Sequence, residues 1–262
     1  MSDDIGLSDP LSTLRFFLEH TSSGRSERME KGDPVPSAVK LPTSSEERIA
    51  LPEPELLPDR QVNFLELVEL RTTQRQFAED PLTLQDLSYL LWCSQGVKTG
   101  LSDGGSMRNV PSAGARHPFE TYLYLQRVEG LEPGFYQFLA FEHALSPCRE
   151  LSDAEGAGKR FLSAFRTKAV AETSAAIFVW AAEADRMLYR FGTRGIRYLY
   201  LDAGHVCQNL YLAAETLRLG ACALGAFDDA TLNEALHLDG EDGEFAVYAA
   251  AVGRPQSSLW MD

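Results

Sequence analysis

The pattern of apolar and polar positions divides the chain near residue 60. Before that point, Leu11, Leu14, Phe17 and Leu18 fall at helical spacing and predict one short amphipathic helix ending near His20. Prolines at 34, 36, 42, 52, 54 and 58 then punctuate a polar stretch in which no regular element can run far. Residues 1–60 read in two ways: as an extended arm that wraps the body or docks a partner, and as a partly disordered leader.

From residue 61 to 262 the pattern is that of a folded domain. Phe64, Leu65, Val68 and Leu70 predict a helix leading into Arg71-Thr72-Thr73-Gln74-Arg75. Pro81 precedes Thr83-Leu84-Gln85-Asp86, a capping-box-like start, after which Leu84, Leu87, Leu90 and Leu91 form an apolar face as far as Gly96. Residues 97–110, glycine-rich and polar, read as a loop. Thr121–Val128 and Phe135–Leu139 read as a hairpin turned by Gly130 and Pro133-Gly134. Ala175–Ala182 is almost continuously apolar, as expected of a strand buried on both faces.

A helix from about Ile196 to Leu219 follows, with Gly220 as its expected C-cap. Between Ala203 and Ala214 only His205 can carry charge near neutral pH, so this helix must be covered on most sides, within a core or by a second subunit. Ala221–Phe227 reads as a strand, Asp228-Asp229 as a helix start, and Phe245–Val252 as a last strand ending at Gly253-Arg254-Pro255. Strands and helices do not alternate strictly, which predicts the α+β class.

Composition narrows the function. The chain of 262 residues is 44% apolar, enough for a substantial core. No apolar run approaches the roughly 20 residues needed to cross a bilayer, and Met1-Ser2-Asp3-Asp4 lacks the basic start of a secretory signal, so cytoplasmic residence is expected. A net charge of −14 repels phosphate backbones and anionic lipid, which argues against nucleic-acid and membrane partners. Cys93, Cys148, Cys207 and Cys222 show no Cys-x-x-Cys spacing and read as reduced, mostly buried thiols. The histidines are scattered singly, which argues against a metal site.

Three segments have the chemistry to hold a phosphorylated, planar cofactor. Arg71, Thr72, Thr73 and Arg75 combine two guanidiniums with two hydroxyls, as a phosphate requires, although an Arg-x-x-x-Arg pair is ordinarily a solvated helix face. Pro111-Ser112-Ala113-Gly114-Ala115-Arg116-His117-Pro118 is small enough to let a ring approach backbone N–H groups, and reads equally as a tight loop entering a strand. Leu224-Gly225-Ala226-Phe227, with the late Gly253-Arg254, is the third. No Gly-x-Gly-x-x-Gly opens a βαβ unit, which disfavours a Rossmann nicotinamide site.

In this order the segments resemble the nitroreductase-like flavoenzymes, and within them the SagB/ThcOx-type branch, the azoline dehydrogenases of ribosomal-peptide maturation. The resemblance is carried by Arg71-Thr72-Thr73-x-Arg75-x-Phe77, Leu90-Leu91-Trp92-Cys93-Ser94-Gln95-Gly96, Pro111-Ser112-Ala113-Gly114, Gly195-x-Arg197-Tyr198, Leu201-Asp202-Ala203-Gly204-His205, Gly225-x-Phe227-Asp228 and Val252-Gly253-Arg254. It implies a three-layer α+β fold with a mixed sheet between helices, and an intertwined homodimer with one FMN at each of two composite sites. Arg71, Thr73 and Arg75 would hold the FMN phosphate and ribityl chain, with Arg254 closing on the phosphate. Ser112, Ala113 and Gly114 would come from the opposite subunit against the ring, with Gly225 near its N5 edge.

This sequence departs from the branch in one place that bears on chemistry. Where azoline-oxidising members carry a Lys-Tyr pair, Arg190-Phe191 stands here, and an arginine that stays protonated is a poor general base. Tyr198, Tyr189 and His117 are the remaining candidates. Arg186, Arg190, Arg194 and Arg197 read either as partners of neighbouring carboxylates or as a patch for an anionic substrate or a partner protein. The expected activity is an FMN-dependent dehydrogenase acting on a modified peptide or peptide-like heterocycle. The alternatives are an NAD(P)H-dependent nitro or quinone reductase, and a non-catalytic scaffold in a peptide-modifying complex.

Overall fold

The computed structural model describes residues 9–22, 35–42, 47–54, 63–101, 105–152, 156–238 and 243–256. At its centre is a seven-stranded sheet of β1 (Ile49–Ala50), β6 (Ala144–Pro147), β5 (Gly134–Leu139), β4 (Phe119–Leu125), β7 (Ala176–Glu183), β9 (Glu244–Gly253) and β8 (Gly220–Leu224), in that spatial order. These neighbouring strands pair antiparallel. The parallel component of the expected mixed sheet is confined, among the described residues, to single bridges, Thr73 with Ala221 and Leu82 with Val128.

The apolar run that marked β7 is explained by helices on both of its faces. Phe178 and Trp180 enter one core with Leu90 of α3 (Leu84–Gln95) and Leu210 of α8 (Gly195–Thr216). Ile177 and Val179 enter the other with Phe161 of α5 (Ala157–Ser163), Val170 of α6 (Lys168–Thr173) and Leu232 of α9 (Asp229–Ala235). The period-2 alternation of a strand thus feeds two cores from one apolar string.

Local signals set several boundaries. Thr83 accepts from the Asp86 N–H while the Asp86 carboxylate accepts from the Thr83 N–H, both at 3.0 Å, the expected capping box of α3. Asp228 caps α9 with a single bond, its carboxylate accepting from the Thr231 N–H at 2.8 Å. Two expectations are corrected. Residues 97–110 contain a small hairpin, β2 (Val97–Gly100) with β3 (Ser106–Arg108), rather than an irregular loop; its Arg108 points inward, so no apolar alternation announced it. Gly220 opens β8 instead of capping α8, which ends at Thr216; the missing Cβ there makes room for Gln74, whose Cβ would stand only 2.7 Å away.

The described parts of the arm are fastened to the body by polar staples. Helix α1 (Pro10–His20), capped by Asp9, ends against two arginines of the α8 region: Arg194 donates to the Thr21 carbonyl (3.2 Å) and Arg197 to that of Leu18 (2.7 Å). Thr193 adds a bond to the His20 carbonyl at 2.8 Å. The orphan carbonyls of a helix C-terminus thereby meet positive charge. Further along, Lys40 bridges Glu183 and Glu244, and Arg186 donates to the Ser37 carbonyl at 2.7 Å. Last, Ser88 donates to the Pro52 carbonyl and bonds His143 Nε2 at 2.8 Å, beside the β1–β6 pairing.

Candidate functional site

The Arg71–Arg75 segment follows α2 (Phe64–Leu70) and is extended, not helical. Thr73 bridges Ala221, and the Gln74 N–H donates to the Ala221 carbonyl at 2.9 Å, laying the segment along the edge of β8. Extended backbone puts alternate side chains on one side. Thr72 accordingly pairs with Gln74 (Nε2 to Oγ1, 3.0 Å), away from Thr73, whose hydroxyl lies 3.3 Å from Tyr211 Oη. The Arg71 guanidinium stands over the same tyrosine, 5.5 Å from its ring centroid. Arg75 is exposed, and among the described residues neither it nor Arg71 makes an ion pair. Arg254 differs: its guanidinium is bonded to Asp86 (3.0 Å) and to the Pro81 carbonyl (3.2 Å).

Two polar systems hold the loop at 111–117. On one side, the Ala113 N–H donates to both Asp202 carboxylate oxygens at 3.2 and 3.3 Å, and the His117 N–H donates to Ser112 Oγ at 2.9 Å. Burial pushes the Asp202 carboxyl up from its ordinary value, against the bonds from Ser112 and Ala113 that favour its charge. On the other side lie two buried arginines and one carboxylate. Arg186 pairs with Glu120 at 2.6 Å and donates to the His117 carbonyl, while Arg108 donates to Gln95 and Ser106. Burial lowers Arg108 to about 10, with the nearby Glu120 opposing that shift.

His117 sits inside this system, only 6% exposed. Burial first, then the charges of Arg108, Arg116 and Arg186, push it down to about 3 against a bond from the Ser106 backbone, so it is neutral near pH 7 and faces the interior. The exposed part of the loop is Pro111 and Gly114. Gly114 has φ +57°, and a Cβ there would stand 2.9 Å from the Arg190 side chain and from Phe191 of α7 (Ala184–Phe191). Arg190 is thus exposed beside the loop, with Arg116 donating to the Gly114 carbonyl at 3.0 Å. Tyr198 packs edge-on to Phe191 at 4.9 Å, and Tyr189 is half-buried. A cavity of about 320 Å³ opens next to Ala115 and Arg116, walled by Val35 to Val39 of the arm.

Both segments hang on α8, but on opposite sides of it. Asp202 and Tyr211 are nine residues apart, about two and a half turns, so the loop and the arginine segment are half a turn out of phase. Between them runs an exposed stripe of Leu201, Gly204, His205 and Gln208, with space above Gly204. Leu224, 1% exposed, contributes only main chain at the end of β8. Gly225 is exposed, with the Tyr248 ring 3.3 Å from where a Cβ would stand.

The nitroreductase family model matches residues 68–254, which takes in the arginine segment, the loop and all of α8. The chain belongs to the nitroreductase family. A protein of Methanocaldococcus jannaschii classed as a nitroreductase is 32% identical over 199 residues, covering 76% of this chain and 94% of its own. The trifolitoxin-processing protein TfxB of Rhizobium leguminosarum is 26% identical over 132 residues, 50% of this chain and 35% of that longer protein.

Solved structures agree on the family fold. One classed as a nitroreductase, from Ralstonia eutropha, superposes with TM-score 0.65 at 26% identity, covering 88% of this chain and 99% of that one. A chain of the E. coli microcin synthetase McbBCD complex, solved with truncated pro-MccB17 bound, matches in fold with TM-score 0.61 at 16% identity, over 98% and 100% of the two chains. So does a Desulfovibrio desulfuricans protein solved in complex with FMN, with TM-score 0.53 at 16% identity, over 78% and 92%. Among the described residues no helix of this nitroreductase-family chain is long and apolar enough to cross a membrane.

Sequence reasoning gave no role to Tyr211, Asp202 or Glu120, although Asp202 stands in one of the motifs that carry the resemblance. Tyr211 lies on the apolar helix, where nothing local distinguishes it from packing residues, whereas a carboxylate in the first half of that helix was the available signal for Asp202. Glu120 stands in a strand that otherwise reads as core, and a carboxylate in such a run was the available signal.

Proposed function

We propose that the chain is an FMN-dependent oxidoreductase of the SagB/ThcOx-type branch, a dehydrogenase acting on a peptide-derived or heterocyclic substrate in ribosomal-peptide or natural-product maturation, and that it works as a homodimer. The observation that carries this reading is the pair of guanidiniums without ion pairs among the described residues, Arg71 and Arg75, flanking a tyrosine-bonded Thr73 at the edge of β8. That donor set suits a phosphate and a polyol chain. The ring-facing loop lies on the other side of α8, which supports a composite site. Arg71, Thr73 and Arg75 of one copy face Ser112, Ala113 and Gly114 of the second across the Leu201–Gln208 stripe. Thr72, turned toward Gln74, contributes main chain only.

FMN, when bound, supplies the hydride acceptor and donor. The protein orients the substrate beside it and excludes water. The 320 Å³ cavity is of a size for a small heterocycle and opens beside the loop. TfxB is named for processing trifolitoxin, and the McbBCD structure holds a pro-peptide; both support a peptide-modifying setting and a partner complex. His117, buried and neutral, is set aside as a base, which leaves Tyr198 and Tyr189 as proton carriers.

Purified protein is expected to be yellow, to release FMN rather than FAD on denaturation, and to sediment as a dimer. Tightly bound FAD, or a flavin-loaded monomer, would refute the reading, and colourless protein that cannot be reconstituted would favour a scaffold. The nitroreductase-classed relatives favour a second reading, NAD(P)H-dependent nitro or quinone reduction. Turnover of nitroaromatics with NAD(P)H, and none of peptides, would select it.

Arg190 is expected to act by charge. Its stem packs on Gly114 and its guanidinium stands 5.7 Å from the Phe191 ring, where it can orient an anionic group but not remove a proton. Arg190→Ala is expected to lose turnover and Arg190→Lys to keep part of it, both with parental FMN content. Parental rates in both variants would make Arg190 a solvated surface charge.

A further inference from the structure

We propose that Tyr211 is a positioning residue for the flavin phosphate, fixing the direction in which Thr73 donates and the place of the Arg71 guanidinium. The proposal rests on the FMN reading above. Tyr211 is 8% exposed and ties α8 to the 71–73 segment and to β8. Its hydroxyl oxygen accepts the Ala223 N–H at 2.7 Å, the donor that the edge strand β8 turns away from β9. Its proton then has one acceptor among the described residues, Thr73 Oγ1 at 3.3 Å. A buried hydroxyl proton without an acceptor is costly, so the bond runs from Tyr211 to Thr73. Thr73 is thereby the acceptor within the protein, and its own proton is left to donate outward, as an anionic ligand requires.

The same ring carries Arg71, 5.5 Å from its centroid. Glu215 is close enough to Arg71 for the guanidinium to oppose the upward push of burial on its carboxyl. The ring of Tyr211 holds that guanidinium on the same side chain that bonds Thr73. One side chain thus orders both the charge and the hydroxyl that the phosphate would meet, and links them to β8, whose end carries Gly225.

The test compares FMN with riboflavin, which lacks only the phosphate, by fluorescence titration of the full-length apoprotein. Tyr211→Phe keeps the ring and removes the hydroxyl. It is expected to weaken FMN about three- to tenfold, the worth of one hydrogen bond, and to leave riboflavin unchanged. Thr73→Val should lose a similar share of the FMN preference, and adding Tyr211→Phe to it should cost nothing more.

Parental FMN-to-riboflavin ratios in Tyr211→Phe would overturn the proposal. So would a loss equal for both flavins, which would mark a purely structural residue. If Tyr211→Phe does not fold, a parental ratio in Thr73→Val overturns it alone. A parent protein that binds neither flavin, or both equally, would instead count against the phosphate cradle and the FMN reading itself.

Discussion

Arg71→Ala is expected to weaken FMN binding by at least tenfold, with little effect on riboflavin. A hydrogen bond to a charged group contributes about 1.5–3 kcal/mol, which corresponds to about ten- to a hundredfold in affinity. Arg71 is half-buried against Tyr211 and makes no ion pair among the described residues, so apart from its pull on the Glu215 carboxyl its charge is left for a ligand. Arg254 makes the contrast: it is bonded to Asp86 and Pro81, and its removal should cost FMN less than the loss of Arg71. Titration at two salt concentrations checks the assignment, because a phosphate contact weakens as salt rises. An Arg71→Ala protein with parental FMN affinity would move the phosphate elsewhere.

Glu120→Ala is expected to destabilise the fold by about 3–5 kcal/mol, the usual cost of leaving a buried charge without its partner. The Arg186 side chain is 5% exposed and that of Glu120 10%, and Arg108 is buried beside them. Without the carboxylate, two guanidiniums face one another in the interior. Glu120→Gln keeps an acceptor and should lose less. Urea unfolding followed by circular dichroism measures both, and coincident curves for Glu120→Ala and parent would show that water already screens the pair. The effect reaches the candidate site, because Arg186 also holds the His117 carbonyl and hence the end of the 112–117 loop.

What could be read from the sequence was local or periodic. Thr83 with Asp86 and the run at 175–182 each carry their structural reason within a few residues. What could not be read depends on distant partners. Arg194 and Arg197 suggested carboxylates or an external anion, yet their acceptors are two main-chain carbonyls and the Thr21 hydroxyl at the end of α1, more than 170 residues away. The spacing of Arg71 and Arg75 suited a helix face as well as a cradle, and only the pairing of Thr73 with Ala221 makes the segment extended. The hairpin at 97–108 read as a loop because Arg108, whose acceptors Gln95 and Ser106 lie inside, fills an inward position that an apolar residue would otherwise have marked. Candidate cofactor residues were therefore easier to nominate than the tyrosine and the two carboxylates that position them.

The staples of the arm also set an order of events at the ribosome. Lys40 joins Glu244 across 204 residues of sequence, so the arm leaves the exit tunnel long before its last anchor exists. At about 5–20 residues per second that interval is roughly 10–40 s. Throughout it the leucines of the first helix, Leu11, Leu14 and Leu18, have no finished body to rest on, and even in the folded chain they remain exposed. A net charge of −14 helps to keep such an unfinished chain in solution during that wait.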